Sequence, residues 1–210
     1  MNLLCKICDK RRARRHCPGV DGEICPQCCG TERENTIDCP ADCEYLRDAR
    51  DHERLQPLSS ADVPNRDVRV PEDFIREHEH LIAWLTAALA RAMEKERAVD
   101  FDAREALEAI IRTYRTLESG LIYETKPQNP FAASIQAALV ESIDELRAEL
   151  AKETGMHSLR DSEILRALVF LQRLEMQHNN GRKRGRAFSD FLSGFFPAEP
   201  AASAASLVQP

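Results

Sequence analysis

From Pro71 onward the apolar residues recur with the period of an α-helix. Ile75, His78, Ile82, Leu85 and Leu89 share one face, with Phe74, Leu81 and Met93 on its flank. A second helix begins near Asp102, whose spacing to Glu105 reads as a capping box, and turns Leu107, Ile110, Tyr114 and Leu117 inward. Asn129 and Pro130 read as a cap followed by a first-turn proline; Ile135, Leu139, Ile143, Leu146 and Leu150 then form a third stripe that ends near Gly155. Ser158 caps a fourth helix through Ile164, Leu165, Leu168, Leu171 and Leu174, and Asn180 with Gly181 supplies its stop. Phe188, Phe191, Leu192, Phe195 and Phe196 recur at helical spacing, so a short last helix either closes the bundle or docks on a partner or membrane surface. The predicted fold is mostly α: a small cysteine-rich zinc module, then a bundle of four helices plus a short C-terminal helix over 72–196.

The helical period is absent before residue 72. Residues 53–71 are polar, hold three prolines and read as a linker. Residues 197–210, rich in Ala, Pro and Ser, are expected to be disordered. Residues 1–52 are organised around sulfur instead of apolar spacing. All eight cysteines lie there: Cys5, Cys8, Cys17, Cys25, Cys28, Cys29, Cys39 and Cys43. A C-x2-C pair lets two thiolates from one tight turn reach the same tetrahedral Zn²⁺, and eight thiolates supply two closed four-thiolate sites. Prolines after Cys17, Cys25 and Cys39 fix the backbone where the chain bends around metal. A disulfide framework fits less well, because the opening residues lack the basic stretch, apolar core and cleavage site of a secretory signal. Iron–sulfur ligation would call for a run of three closely spaced cysteines, which is not present.

The order C-x2-C, Cys-Pro, C-x2-C and a final ligand-x3-Cys resembles the HIT-type and MYND-type zinc fingers over Cys5 to Cys43. Those modules hold two zincs through interleaved ligand pairs and bind proteins, so the resemblance implies docking to a protein partner. This chain departs from them at Val20, where a second cysteine would complete a pair with Cys17, and at Cys39, where they usually carry His. The Cys28–Cys29 doublet offers a repair: Cys5, Cys8, Cys25 and Cys28 form one site, and Cys17, Cys29, Cys39 and Cys43 the other. His16 is a competing ligand, and a single zinc with spare thiols is the alternative to two. Sites closed by four thiolates leave no position for a reacting water, which points to a scaffold rather than a catalyst.

The charge of −6 at pH 7 argues against broad affinity for anionic membranes or nucleic acid. Two basic runs qualify this: Lys10, Arg11, Arg12, Arg14 and Arg15 after the first knuckle, and Arg182, Lys183, Arg184 and Arg186 after the fourth helix, both candidate phosphate contacts. Glu77-x2-His80 and Glu175-x2-His178 match a di-iron signature, but His80 points away from the apolar face of its helix, so chance is the better reading. Phosphate-loop, dinucleotide, nucleophile-elbow and H-E-x-x-H motifs are absent, and no apolar run is long enough to span a membrane. The function expected is a cytoplasmic zinc-binding adaptor acting through protein–protein interaction. A nucleic-acid-binding protein using 10–15 and 182–186 is the first alternative, and an enzyme of unrecognised type the second. The oligomeric state is left open.

Overall fold

The structure is a computed structural model, and it describes residues 3–53, 59, 62–154 and 159–196. The cysteine-rich segment opens with an antiparallel hairpin, β1 (Arg15–Cys17) and β2 (Gly22–Ile24), in which Cys17 faces Gly22 and Arg15 faces Ile24. Helix α1 (Pro26–Glu32) follows Cys25, and α2 (Glu44–Arg50) follows Cys43. Apolar filling is thin, with Ile24, Ile37 and Leu46 as the buried aliphatics set among buried cysteines. So small a core stabilises a fold of this size poorly without a further tie.

The periodic part is helical: α3 (Glu72–Glu77), α4 (Glu79–Glu96), α5 (Asp100–Glu118), α6 (Pro130–Thr154), α7 (Asp161–His178) and α8 (Ala187–Phe195). The first expected helix is two. His78 leaves the helical region at φ −115° and ψ 27°, ending α3 with its N–H on Phe74 O and opening α4 by accepting the Ile82 N–H. Its ring stacks on Phe74 at 4.3 Å, so the one histidine on the apolar face packs against an aromatic neighbour at a joint. The start of α5 also shifts from the expected position. Asp102 is its third residue, accepting the Val99 N–H at 2.9 Å, and the helix begins at Asp100. Glu163 plays the same part for α7 by accepting the Arg160 N–H. Ser158, expected as that cap, lies outside the described residues, as do Gly155 and 197–210.

Helices α4 and α5 stand on a diagonal of the bundle, with α6 between them on one side and α7 on the other. Trp84 Nε1 donates to Ser142 O and Ser134 Oγ to Glu96, so α6 runs against α4. Asn129 Nδ2 donates to Asp102, which starts α6 beside the start of α5 and makes the two parallel. Parallel neighbours need a return connection. Residues 119–129 provide it, running back along α5 with the Thr125 N–H on Thr113 Oγ1 and Thr116 Oγ1 on Tyr123 O. Gly120, at φ 77°, turns the chain out of α5, a conformation that costs glycine no Cβ clash. The stripes meet as expected: Leu85, Leu89, Leu107, Ile110, Ile135, Leu139, Ile143 and Leu168 are fully buried. Phe188 and Leu192 of α8 are also fully buried in this core, so the last helix closes the bundle. No helix among the described residues is long and apolar enough to cross a membrane.

Two expectations need correcting. The second half of the segment read as linker, 62–70, is a strap packed on the bundle. Arg173 Nη2 donates to Asn65 O and Val68 O, Asn65 Nδ2 to Gln172 Oε1, and Val68 and Val70 join the core margin. Two members of the basic run 182–186, Arg182 and Arg186, are consumed in joining the two halves. Arg182 Nη1 donates to Arg33 O at 2.6 Å; Arg186 bonds Asp38 at 2.7 Å and Arg97 O at 3.2 Å. Lys183 and Arg184 stay exposed, with the Arg184 guanidinium 4.0 Å from Asp38 and its N–H on Glu34 O at 2.7 Å. The periodicity of the sequence is blind to these bonds because they satisfy backbone groups of a loop that lies far away in the chain.

Glu34 is the centre of that joint. It is 1% exposed and sits at φ 52°, in the left-handed region that non-glycine residues seldom adopt. One carboxylate oxygen accepts from Arg50 Nη2 at 2.7 Å and from the Arg186 N–H at 3.1 Å, and the other from Asn180 Nδ2 at 2.8 Å. Arg50 also pairs with Asp190. On the bundle side, the buried Asp100 accepts the N–H groups of Phe188 and Ser189 at the start of α8. Burial pushes its carboxyl up to about 7 against those two N–H groups, and the charges of Glu175 and Glu34 push it the same way.

Candidate metal centre

Two knuckles bring the first four thiols together. Cys5 and Cys8 flank a turn closed by the Asp9 N–H on Cys5 O, with Asp9 at φ 51°. Lys6 fastens this turn to the hairpin, its Nζ donating to Val20 O and Asp21 O and its N–H to Glu23 O. Cys25 is the N-cap of α1, and its sulfur accepts the Cys28 N–H at 3.4 Å where a serine or aspartate oxygen would usually stand. Pro26 follows at the first helical position, where its missing N–H costs nothing.

The sulfurs of Cys5, Cys8, Cys25 and Cys28 all lie within 4.8 Å of one another. A tetrahedral Zn–S bond of about 2.3 Å sets sulfurs about 3.8 Å apart, so the four could close on an ion with small adjustment. Burial pushes the Cys5 thiol up, but backbone N–H groups of Cys25, Cys8 and Ile7 outweigh it and hold the thiol below its ordinary value. The N–H groups of Lys10 and Arg11 do the same for Cys8, and that of Cys28 for Cys25. Cys28 is pushed up to about 12, first by burial and then by the other three sulfurs. Three thiols held below their ordinary value and one pushed above it, crowded at one point, is the electrostatic condition a divalent cation relieves.

Cys17, Cys29, Cys39 and Cys43 come together less tightly, around a cavity of about 10 Å³ roofed by Ile24, Ile37 and Leu46. That is roughly the space of one water, more than a bare metal ion needs. Arg15 Nη1 donates to Cys29 Sγ at 3.3 Å while its guanidinium lies 4.3 Å over the Tyr45 ring. Burial pushes Cys39 up, and the charges of Glu34, Cys17 and Cys43 add to it. Among the described residues, no other set of His, Cys, Asp or Glu side chains is drawn together as closely as the first four. His16 turns outward from β1, opposite in direction to Cys17, and pairs with Glu23 at 3.2 Å.

Of the first basic run, Arg15 is committed to Tyr45 and Cys29, and Arg11 lies 3.9 Å from Cys8 Sγ. Lys10, Arg12 and Arg14 are exposed, and their side chains have no hydrogen-bond or ion-pair partner among the described residues. The two Glu-x-x-His pairs do not converge. Glu77 and His80 are exposed, Glu175 is fully buried in a bidentate pair with Arg104 at 3.0 Å, and His178 stacks on Phe191 at 3.5 Å. Glu34 and Arg50 are structural residues that nothing in their local sequence marks, and Asn180, marked there only as a helix stop, is the third member of the joint. Comparison with protein-family models, with curated proteins and with solved structures finds no match, so the likeness to two-zinc fingers rests on the cysteine spacing alone.

Proposed function

We propose that the chain is a cytoplasmic zinc-binding adaptor whose cysteine module is a rigid interaction surface built on two zinc ions. The observation that carries this reading is the first thiol cluster: four sulfurs from two knuckles, three of them buried, with backbone N–H groups favouring the thiolate form. Four thiolates close a zinc's coordination shell, leaving it structural. The second ion would sit among Cys17, Cys29, Cys39 and Cys43, with Arg15 on the Cys29 sulfur offsetting the negative charge of a four-thiolate site. Zinc then supplies the tie that Ile24, Ile37 and Leu46 are too few to provide.

A catalytic zinc would keep a coordination position for water, whereas each thiol set supplies four ligands and so fills the shell of the ion it would hold. The nucleic-acid reading keeps Lys10, Arg12 and Arg14 and the exposed Lys183 and Arg184, but loses Arg182 and Arg186 to the joint between the halves. Elemental analysis of reduced protein tests the metal: about two zincs per chain are expected, and fewer than one overturns the reading. Affinity capture with intact, nuclease-treated protein tests the adaptor role. Protein partners that are retained after nuclease and lost on chelation are expected, whereas salt-sensitive nucleic acid in place of protein would transfer the function to the alternative.

A further inference from the structure

Two exposed surfaces of opposite charge stand on separate parts of this chain, each combining aliphatic side chains with unpaired charges. The first is on the N-terminal knuckle. Leu3, Leu4 and Ile7 are 62%, 57% and 36% exposed beside Lys10, Arg12 and Arg14. The Ala13 N–H on Leu3 O and the Leu4–Arg12 bridge hold the two strands of this patch side by side. The second begins where the return connection leaves α5. Leu121, Ile122 and Tyr123 are 62%, 96% and 67% exposed, and Glu124 opens onto an α6 groove of about 480 Å³ flanked by Glu141, Asp144 and Glu145. Residues 141, 144 and 145 lie on one helical face, and their carboxylates have no ion-pair partner among the described residues, whereas Glu124 at the rim pairs with Lys126 at 3.2 Å.

From these surfaces we infer that the basic knuckle of one chain docks on the acidic α6 groove of a second copy. Among the described residues, no hydrogen bond or ion pair joins them within one chain. The hydrogen bonds and ion pairs that fix the module to the bundle run from residues 30–50 to 180–190, at the end where α5 begins. Leu121 lies beyond the other end of α5, about 28 Å away along a helix of that length, and Glu141, Asp144 and Glu145 lie near the middle of α6. Leaving apolar side chains exposed at each surface costs solubility that covering them recovers. The match of sign steers the encounter and fixes its orientation. Aliphatic rather than aromatic exposure at the knuckle favours a protein surface over single-stranded nucleic acid, which uses aromatic stacking platforms. The contact is heterologous, with one patch meeting a different patch, so it propagates head to tail unless a ring closes. It extends the adaptor reading by naming one occupant of the module's surface.

The test is sedimentation of full-length, metal-loaded, nuclease-treated protein. Weight-average mass is expected to reach at least twice the 23.8 kDa of one chain as concentration rises at low salt. It should fall back as salt increases from about 0.05 M to about 0.5 M, since exposed charges are then screened. Lys10→Glu with Arg12→Glu and Arg14→Glu should abolish association, and so should Glu141→Lys with Asp144→Lys and Glu145→Lys. Arg11 is left in place because it touches the Cys8 sulfur. Mixing the two variants should restore association, because each then meets a partner surface of opposite sign; this result also shows that both variants are folded. Ile122→Ser should weaken association several-fold without altering its salt dependence. A wild-type chain that stays monomeric at every concentration overturns the inference, even if it still captures a foreign protein and so leaves the adaptor reading standing. Association that disappears with nuclease, or that ignores both charge reversals, overturns it equally.

Discussion

The cysteine module and the helical bundle solve the same problem by different physics. In the bundle, stripes on α4, α5, α6 and α7 converge on one continuous apolar core, and hydrophobic burial of roughly 1.5–3 kcal/mol per large side chain suffices to order it. In the module three buried aliphatics sit among eight thiols, and under the zinc proposal order depends on ligation. The difference teaches where each half is expected to be vulnerable: the bundle to lost volume and, under the zinc proposal, the module to lost ligation. Glu34 makes the contrast incomplete, because a module residue holds the corner from which α8 enters the core.

Stripping metal gives the largest expected effect and bears on the contrast most directly. Structural zinc contributes roughly 10–16 kcal/mol in finger peptides, so residues 3–53 should lose hydrogen-exchange protection on chelation. Helical circular dichroism should largely persist, with added exchange confined to 180–190. Collapse of the whole helical signal would mean that the two halves are one cooperative unit. In the bundle, Leu139→Ala should cost about 2–5 kcal/mol in urea unfolding, because a fully buried side chain leaves a cavity at the centre of α6. Metal content should not change, and a fall in bound metal would break the comparison.

Glu34→Gln tests the joint. The neutral amide cannot hold Arg50 by charge, and a loss of about 2 kcal/mol is expected, read as faster exchange at 182–190 with the α6 amides unaffected. Smaller still is the pH effect at Asp100. Its folded carboxyl titrates near 7, above the unfolded value of 3.8, so its contribution is fully present below the unfolded value and is lost as pH rises toward and through 7. Relative to Asp100→Asn, the wild type should lose about 1–2 kcal/mol between pH 5.5 and 7.5, taking 1.36 kcal/mol per pH unit as the limit. Equal slopes in thermal or urea melts of the two proteins would show that the carboxyl ionises freely and that the α8 cap is exposed to solvent.

By itself the sequence determined the mostly helical class, the four inward stripes and the confinement of all thiol chemistry to the first 43 residues, because periodicity and ligand spacing are local properties of the chain. The sequence offered the grouping of Cys5, Cys8, Cys25 and Cys28 only as a repair of the zinc-finger resemblance, beside a one-zinc alternative, and it is the fold that draws these four sulfurs together. Tertiary structure decided the rest. That α3 breaks from α4 at His78, where the backbone leaves the helical region, is visible only in the structure. That α4 and α5 lie diagonally, leaving 121–123 in a return connection, follows from packing that no single helix encodes. The same holds for the basic run at 182–186, an open clamp in the sequence and a clasp on Gly30, Arg33, Glu34 and Asp38 in the fold. A charge finds its partner by distance in space, and the hundred and more residues between Glu34 and Asn180 hide that distance from any reading along the chain.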